Sequence, residues 1–275
     1  MVDGRKSLKN KMRLAILTER IDVAGPDVDI FKIKPKEGEF FSFVAGQYAT
    51  LGLDVGDEFI ARAYSIASSP YTRDYLEFYI NVIPEGQLTP ALFDLCVGDE
   101  VYYMGPKGLF TLAKTTKRNL LFVATGTGLA PYVSMLRTLR ADQCAGKPHA
   151  KIITLVHGAR YSQDLGYRGE LEVLTREEGF NLLYLPTVSR ADQDQNWTPD
   201  MGQGRVTGLL SAIGEDVVGQ RVPVLPQGLD LKEVLERIPS EHTAVYLCGN
   251  PDMIVDAKSV LTNKGYGEIH TEEYW

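Results

Sequence analysis

Cysteine is scarce in this chain of 275 residues, which has only Cys96, Cys144 and Cys248. Three thiols cannot build a disulfide scaffold and do not stand at zinc-site spacing. They also fall short of the four thiolates that a plant-type two-iron, two-sulfur cluster takes. Long hydrophobic runs are missing: no stretch approaches the roughly 20 apolar residues of a membrane span. The segment from Arg5 to Arg13 carries five basic side chains with no apolar stretch behind it. It therefore does not form a secretory signal, and a cytoplasmic location is expected. A surplus of positive charge is absent too. Twenty-nine Lys and Arg against 36 Asp and Glu leave a net charge of -7, which argues against general affinity for nucleic acid. Neither internal repeats nor low-complexity segments stand out.

What is present is globular composition, 44% hydrophobic and 24% charged. At this length a chain divides, so two domains of roughly 100–170 residues are expected. The first part reads as β structure. Leu76, Phe78, Ile80 and Val82 alternate with Glu77, Tyr79 and Asn81, the period of a strand with one buried face. Gln47–Leu53 and Ala61–Ala67 are similar runs, and glycines punctuate them, so a barrel or sandwich is expected. Thr89 is placed to cap a short helix over Pro90–Leu95. After Lys117–Arg118 the pattern changes. Leu120–Ala124 is a continuous apolar run, as in a strand buried on both faces. Strand-like runs recur at Ile152–His157, Leu182–Val188 and Ala244–Cys248. Helical stretches lie between and after them near Gly169–Arg176, Leu231–Arg237 and Asp252–Leu261, an alternation that predicts a parallel sheet covered by helices. Ala191–Gly204 is polar and reads as an exposed loop.

Five short elements carry chemistry. Gly126-Thr127-Gly128-Leu129-Ala130-Pro131 follows the first apolar strand and opens a helix. It suits close backbone approach to a pyrophosphate, although an ordinary strand-to-helix turn has the same composition. Arg62-Ala63-Tyr64-Ser65 lies on a β strand. There an arginine suits a phosphate, a tyrosine a planar ring and a serine a ring nitrogen, and an exposed polar strand is the alternative. Gly86-Gln87-Leu88-Thr89 offers a second glycine turn at a helix start. Ser189-Arg190 and Gly204-Arg205 stand at and beyond a strand end, where two guanidiniums and a hydroxyl suit a ribose 2′-phosphate; two solvated arginines are the plain alternative. Cys248-Gly249-Asn250-Pro251 follows the last apolar strand, with Cys248 either facing a ligand or buried.

In this order the elements resemble the ferredoxin–NADP(+) reductase superfamily, and its bacterial flavodoxin/ferredoxin–NADP(+) reductases in particular, from about Arg13 to Trp275. The resemblance implies an N-terminal six-stranded antiparallel β-barrel binding FAD, over 1–116. A Rossmann-like parallel α/β domain binding NADP(H) would follow, over 117–275. It implies that Arg62, Ala63, Tyr64 and Ser65 hold the flavin, with Ser65 near N5. Tyr79, Ile80, Asn81 and Val82 would run along the cofactor, and Gly86, Gln87, Leu88 and Thr89 would form its second phosphate element. Gly126, Thr127 and Gly128 would sit near FAD and nicotinamide, and Arg160, Ser189, Arg190 and Arg205 on the coenzyme phosphate. Asn250 and Asp252 join the cofactor-binding set. Cys248 would shape the nicotinamide pocket, and the terminal Tyr274 or Trp275 would cover a flavin ring, with Ser65, Cys248 and Tyr274 given catalytic roles.

The implied reaction is hydride transfer between NADP(H) and FAD, with single-electron exchange to ferredoxin or flavodoxin as a transient partner of a monomer. Lys107, Lys114, Lys117 and Arg118 are candidates for docking an acidic partner, or are simply a solvated face. Two other readings use the same residues. One is the reductase component of an oxygenase system with a separate iron–sulfur chain, and the other is a nucleotide-binding regulator without catalysis.

Overall fold

The computed structural model describes residues 8–23, 27–212 and 224–273. By its internal contacts the chain forms two compact units. One runs up to Lys114 and takes in Ala130–Ala141; the other holds Thr115–Leu129 and the chain from Asp142 onward.

The first unit contains β1 (Arg13–Asp22), β2 (Val28–Pro35), β3 (Tyr48–Val55), β4 (Glu58–Ser65), β5 (Leu76–Asn81) and β6 (Glu100–Lys107). They pair antiparallel in the order β4-β3-β6-β1-β2-β5. Just beyond β4, Ile66 bridges Phe78 of β5, and the Ala67 N–H donates to the Glu77 carbonyl at 2.8 Å. This joins the two edges of the sheet and makes it a barrel. Leu17, Phe31, Ile33, Leu51, Phe78 and Tyr103 fill the interior, each apolar side chain of this size contributing about 1.5–3 kcal/mol by leaving water.

Two expectations change here. β5 has both faces buried, Leu76 through Ile80 inclusive, where the alternation predicted one. The reason is the helix α2 (Ala130–Cys144), most of which belongs to this unit. Its Arg137 donates to Glu77 at 2.6 Å and its Ser134 to the Ser68 carbonyl at 2.7 Å, covering the polar side. The short helix α1 spans Leu88–Phe93 and starts earlier than predicted, with no side-chain cap. The Thr89 hydroxyl is taken by Ile83, accepting from its N–H at 2.9 Å and donating to its carbonyl at 3.3 Å. Pro90 still sits in the first turn, where its missing N–H leaves no bond unmade.

The second unit is a parallel sheet of β7 (Asn119–Thr125), β8 (Ile152–Ala159), β9 (Leu182–Val188), β10 (Gly202–Gln203), β11 (Thr243–Gly249) and β12 (Ile269–Glu273). Their order is β10-β9-β8-β7-β11-β12. The central β7 is buried from Asn119 to Ala124, as its unbroken apolar run requires. Helices α3 (Arg168–Thr175), α4 (Val206–Ala212), α5 (Leu231–Arg237) and α6 (Pro251–Asn263) complete this unit; α4, α5 and α6 contribute Val206, Leu210, Val234, Ile254 and Leu261 to a core shared with Leu121, Val123 and Leu247. The polar segment Ala191–Gly204 is more structured than its composition suggests. Met201 is fully buried and joins Ala191, Leu165 and Val188 in a small cluster of its own, with Trp197 against it. One buried methionine is enough to anchor a run of polar residues. Of Val217–Gly228, residues 217–223 lie outside the described residues.

Candidate functional site

On the barrel, β4 carries Arg62, Ala63, Tyr64 and Ser65 paired with Leu51, Thr50, Ala49 and Tyr48 of β3. Arg62 is exposed; its guanidinium donates to the Ala61 carbonyl at 2.8 Å, and no described carboxylate pairs with it. It is thus a cation open to an outside anion. Burial raises the Tyr64 phenol far above its ordinary value, against a smaller opposing pull from Arg62, so the ring stays neutral. Ser65 is buried at the strand end. The Ile66–Phe78 bridge sets this motif on the strand neighbouring Tyr79–Asn81. Tyr79, Ile80 and Leu88 are core side chains and offer a ligand their backbone. Asn81 is exposed, its amide donating to the Val82 carbonyl at 3.2 Å. Gly86 closes a turn onto the Ile83 carbonyl at 2.8 Å, and Gln87 is exposed. Because the Thr89 hydroxyl is spent on Ile83, this turn presents backbone and the Gln87 side chain.

In the second unit the turns after β7 and β11 interlock. Gly126 has φ +53°, and Gly126–Leu129 form a 3-10 turn leading into α2. A Cβ on Gly128 would stand 2.4 Å from the Cys248 carbonyl oxygen, and one on Gly249, whose φ is +137°, would stand 2.2 Å from Thr125 Oγ1. The Asn250 N–H donates to that same Thr125 hydroxyl at 2.9 Å. Both glycines are therefore demanded by backbone approach, and the result is a side-chain-free cradle at the carboxyl ends of two adjacent parallel strands, where ligands of such sheets sit. Thr127 is half-buried on its rim. The Asn250 side chain caps α6, accepting from Asp252 and Met253 N–H groups at 2.9 and 3.2 Å, and Asp252 is exposed. Cys248 is fully buried, and burial, with Glu272 adding to it, pushes its thiol up. It offers shape, not a thiolate.

The basic residues predicted far apart in sequence come together at the other side of this sheet. The register pairs Ala159 with Val188 and Val188 with Gln203. Ser189 N donates to the Ala159 carbonyl at 3.0 Å, Arg190 N to that of Arg160 at 3.1 Å, and Gly204 N to that of Val188 at 2.9 Å. Arg160, Ser189, Arg190 and Arg205 are all exposed there, and no described carboxylate pairs with the three guanidiniums. Asp192, close by in sequence, makes no such pair.

Sequence reasoning missed two residues. Tyr161 accepts a hydrogen bond from Arg190 Nη1 at 3.0 Å; the only signal was an aromatic directly after Arg160. His157 is fully buried, with its Nδ1 at 3.1 Å from the Tyr184 hydroxyl, and burial outweighs a backbone contact with Gly126 to bring its pKa down to about 4. Nothing local distinguishes it from an apolar strand residue. The docking candidates separate: Lys107 and Lys114 are exposed on the first unit. On the second, Lys117 donates to the Glu241 carbonyl and Arg118 to that of Ala150 at 2.9 Å. Tyr274 and Trp275 lie outside the described residues. Among the described residues no helix is long and apolar enough to cross a membrane, and no group of three or more His, Cys, Asp or Glu could hold a metal ion.

Residues 15–112 match the model of an oxidoreductase FAD-binding domain and residues 122–259 that of an oxidoreductase NAD-binding domain. The chain is 32% identical over 247 residues to a flavodoxin/ferredoxin–NADP reductase of Escherichia coli, covering 85% of this chain and 88% of that protein. It is 31% identical over 248 residues to a ferredoxin–NADP reductase of Pseudomonas aeruginosa, covering 86% and 84%. In fold it is similar to a ferredoxin NADP+ reductase from Neisseria gonorrhoeae solved with bound FAD and NADP, with a TM-score of 0.76, 23% identity, and 96% and 98% of the two chains covered.

Proposed function

Because this chain belongs to the ferredoxin–NADP(+) reductase family, and is thus an FAD- and NADP-dependent oxidoreductase, we propose that its activity is electron exchange between NADP(H) and a ferredoxin or flavodoxin. The observation that carries the coenzyme half of this reading is the set of exposed guanidiniums of Arg160, Arg190 and Arg205 at neighbouring strand ends, none of them paired with a carboxylate among the described residues. A 2′-phosphate is a dianion that one exposed arginine would hold weakly, and a convergent set holds it with charge-assisted bonds.

The residues present fit both dinucleotides. The turns after β7 and β11 pack backbone to backbone at Gly128 and Gly249, where no Cβ fits, which suits a helix start that offers N–H groups to a diphosphate. Arg62 supplies an exposed cation on the barrel that pairs with no described carboxylate. FAD, when bound, supplies the conversion between two-electron exchange with NADP(H) and one-electron exchange with the partner. In this reading Arg62 binds the FAD diphosphate and Tyr64 packs as a neutral ring along the flavin. Ser65 presents its hydroxyl at the flavin N5 edge. Thr127 and the buried Cys248 shape the nicotinamide pocket, Tyr274 or Trp275 covers a flavin ring, and Asn250 fixes the start of α6. We place the boundary between the FAD and NADP(H) domains at residues 116 and 117, and take the protein to act as a cytoplasmic monomer.

A stopped-flow titration tests the reading. The purified protein is expected to be yellow, to bleach with NADPH much faster than with NADH, and to pass electrons to added ferredoxin or flavodoxin. A colourless preparation that takes up no FAD, or bleaching at equal rates with both coenzymes, overturns it. Transfer only to an iron–sulfur chain of an oxygenase system would replace the proposed partner.

A further inference from the structure

Arg190 is held by an uncharged partner. Its Nη1 donates to the Tyr161 hydroxyl at 3.0 Å, and its guanidinium carbon stands 5.6 Å from the centroid of the same ring. Other arginines of the protein are fixed by carboxylates, Arg137 by Glu77, Arg20 by Asp29, and Arg168 by both Glu172 and Asp200, or by backbone carbonyls, as Arg118 and Arg237 are. A carboxylate orients a guanidinium but cancels its charge. A phenol orients it and leaves the charge intact.

The tyrosine is in turn fixed from two directions. Its backbone N–H donates to Asp164 Oδ2 at 3.1 Å, and the next N–H, that of Ser162, donates to Asp194 Oδ2 at 2.5 Å. Asp194 belongs to the polar segment that follows Arg190, so the turn under Tyr161 and that segment are tied together. Burial works to raise the Asp194 carboxyl, but the N–H donors of Ser162 and Asn196 outweigh it and hold the group below its ordinary value. The Asp194 carboxylate is thus committed to backbone N–H groups, and among the described residues it forms no ion pair with Arg190.

We propose that Tyr161 is a positioning residue for coenzyme selection, holding the Arg190 guanidinium at the strand ends in a fixed direction and fully charged for the 2′-phosphate of NADP(H). This rests on the 2′-phosphate reading given above, and its test separates the two.

The measurement is calorimetric titration of the FAD-loaded protein with adenosine 2′,5′-bisphosphate and, in parallel, with adenosine 5′-monophosphate. Tyr161→Phe keeps the ring and removes the hydroxyl. It is expected to weaken the bisphosphate about fivefold, the scale of one neutral hydrogen bond, while the monophosphate and the melting temperature stay unchanged. Tyr161→Glu still grips Arg190 but cancels its charge, and is expected to lose more than Tyr161→Phe. In an Arg190→Ala background, Tyr161→Phe should cost nothing further, because the tyrosine acts only through that arginine. Equal weakening of both ligands by Tyr161→Phe overturns the proposal, as does its full effect persisting without Arg190, or Tyr161→Glu binding the bisphosphate as well as the unaltered protein. If Arg190→Ala is selective for the bisphosphate and Tyr161→Phe is without effect, only the positioning role falls. If Arg190→Ala weakens both ligands alike, the 2′-phosphate reading falls and this role with it.

Discussion

Arg137 Nη1 lies 2.6 Å from Glu77 Oε1, and the Glu77 side chain is only 3% exposed while that of Arg137 is 23% exposed. The pair joins a helix that follows a glycine turn to a barrel strand that follows a flavin-type motif, with Lys32 4.0 Å from the same carboxylate. The asymmetry of exposure predicts an asymmetry of cost. Arg137→Ala leaves a buried carboxylate with a distant cation and should destabilise by about 2–4 kcal/mol. Glu77→Gln leaves a half-solvated guanidinium and keeps a hydrogen-bond acceptor, so it should cost less. Urea denaturation of the two variants checks the order, and the reverse order would show that Arg137 is the dependent partner.

The interlocked turns predict which glycines tolerate a methyl group. Gly128→Ala places a carbon against the Cys248 backbone carbonyl, which cannot swing aside, and should cost about 1–3 kcal/mol of stability together with much of the NADPH-dependent flavin reduction. Gly208→Ala, in α4 with open space around it, should be neutral or slightly stabilising because alanine is the better helix former. Thermal melts of both variants supply the comparison.

Arg205 is exposed just before α4 and pairs with no carboxylate among the described residues. Its replacement by Ala should remove a charge-assisted bond of about 1.5–3 kcal/mol to the coenzyme, a drop of roughly 10- to 100-fold in kcat/KM with NADPH and little with NADH. An equal drop with both coenzymes would mean that Arg205 supports structure rather than the 2′-phosphate.

His157 gives stability a pH dependence of known sign. Its pKa is lowered from 6.5 to about 4 by burial, so the unfolded chain binds the proton more readily. Its stabilising contribution is whole above pH 6.5 and is lost as pH falls towards 4, on the order of 3 kcal/mol across that window. Burial lowers His149 as well, and it adds in the same direction. His157→Gln should flatten the fall measured by urea denaturation between pH 7 and pH 4.5; an unchanged slope would assign the loss to other groups.

Thiol counting separates the cysteines. Cys96 and Cys144 are exposed while Cys248 is buried with its thiol raised. A thiol-reactive dye should label the first two promptly and Cys248 only after denaturant is added. Prompt labelling of Cys248 would show the turn after β11 to be open.

Much of this was legible in the sequence because it follows from local periodicity. The unbroken apolar run at Leu120–Ala124 could only be a strand covered on both sides, and the strand at Leu182–Val188 has the bounds its pattern predicts. The strand at Arg62–Ser65 and the glycine turn at Gly126 leading into a helix were readable too, because both follow from local residue patterns. What failed did so where a distant partner intervened. Thr89 reads as a cap, and Ile83 had already claimed its hydroxyl. Glu77 reads as the solvent side of a strand, and a helix more than fifty residues later covers it. Met201 sits in a run of polar residues and nothing nearby marks it as buried.

The sequence alone therefore determined the type of the strongly patterned elements, the division into an antiparallel and a parallel part, and the family, since all three depend on residue spacing along the chain. Only tertiary structure decided that Arg160, Arg190 and Arg205 stand at neighbouring strand ends, that Arg190 donates to Tyr161, and that Gly128 and Gly249 are forced by each other's neighbours. Those relations depend on parallel register between strands far apart in sequence. Hydrogen bonding across a sheet sets that register, and no local pattern encodes it.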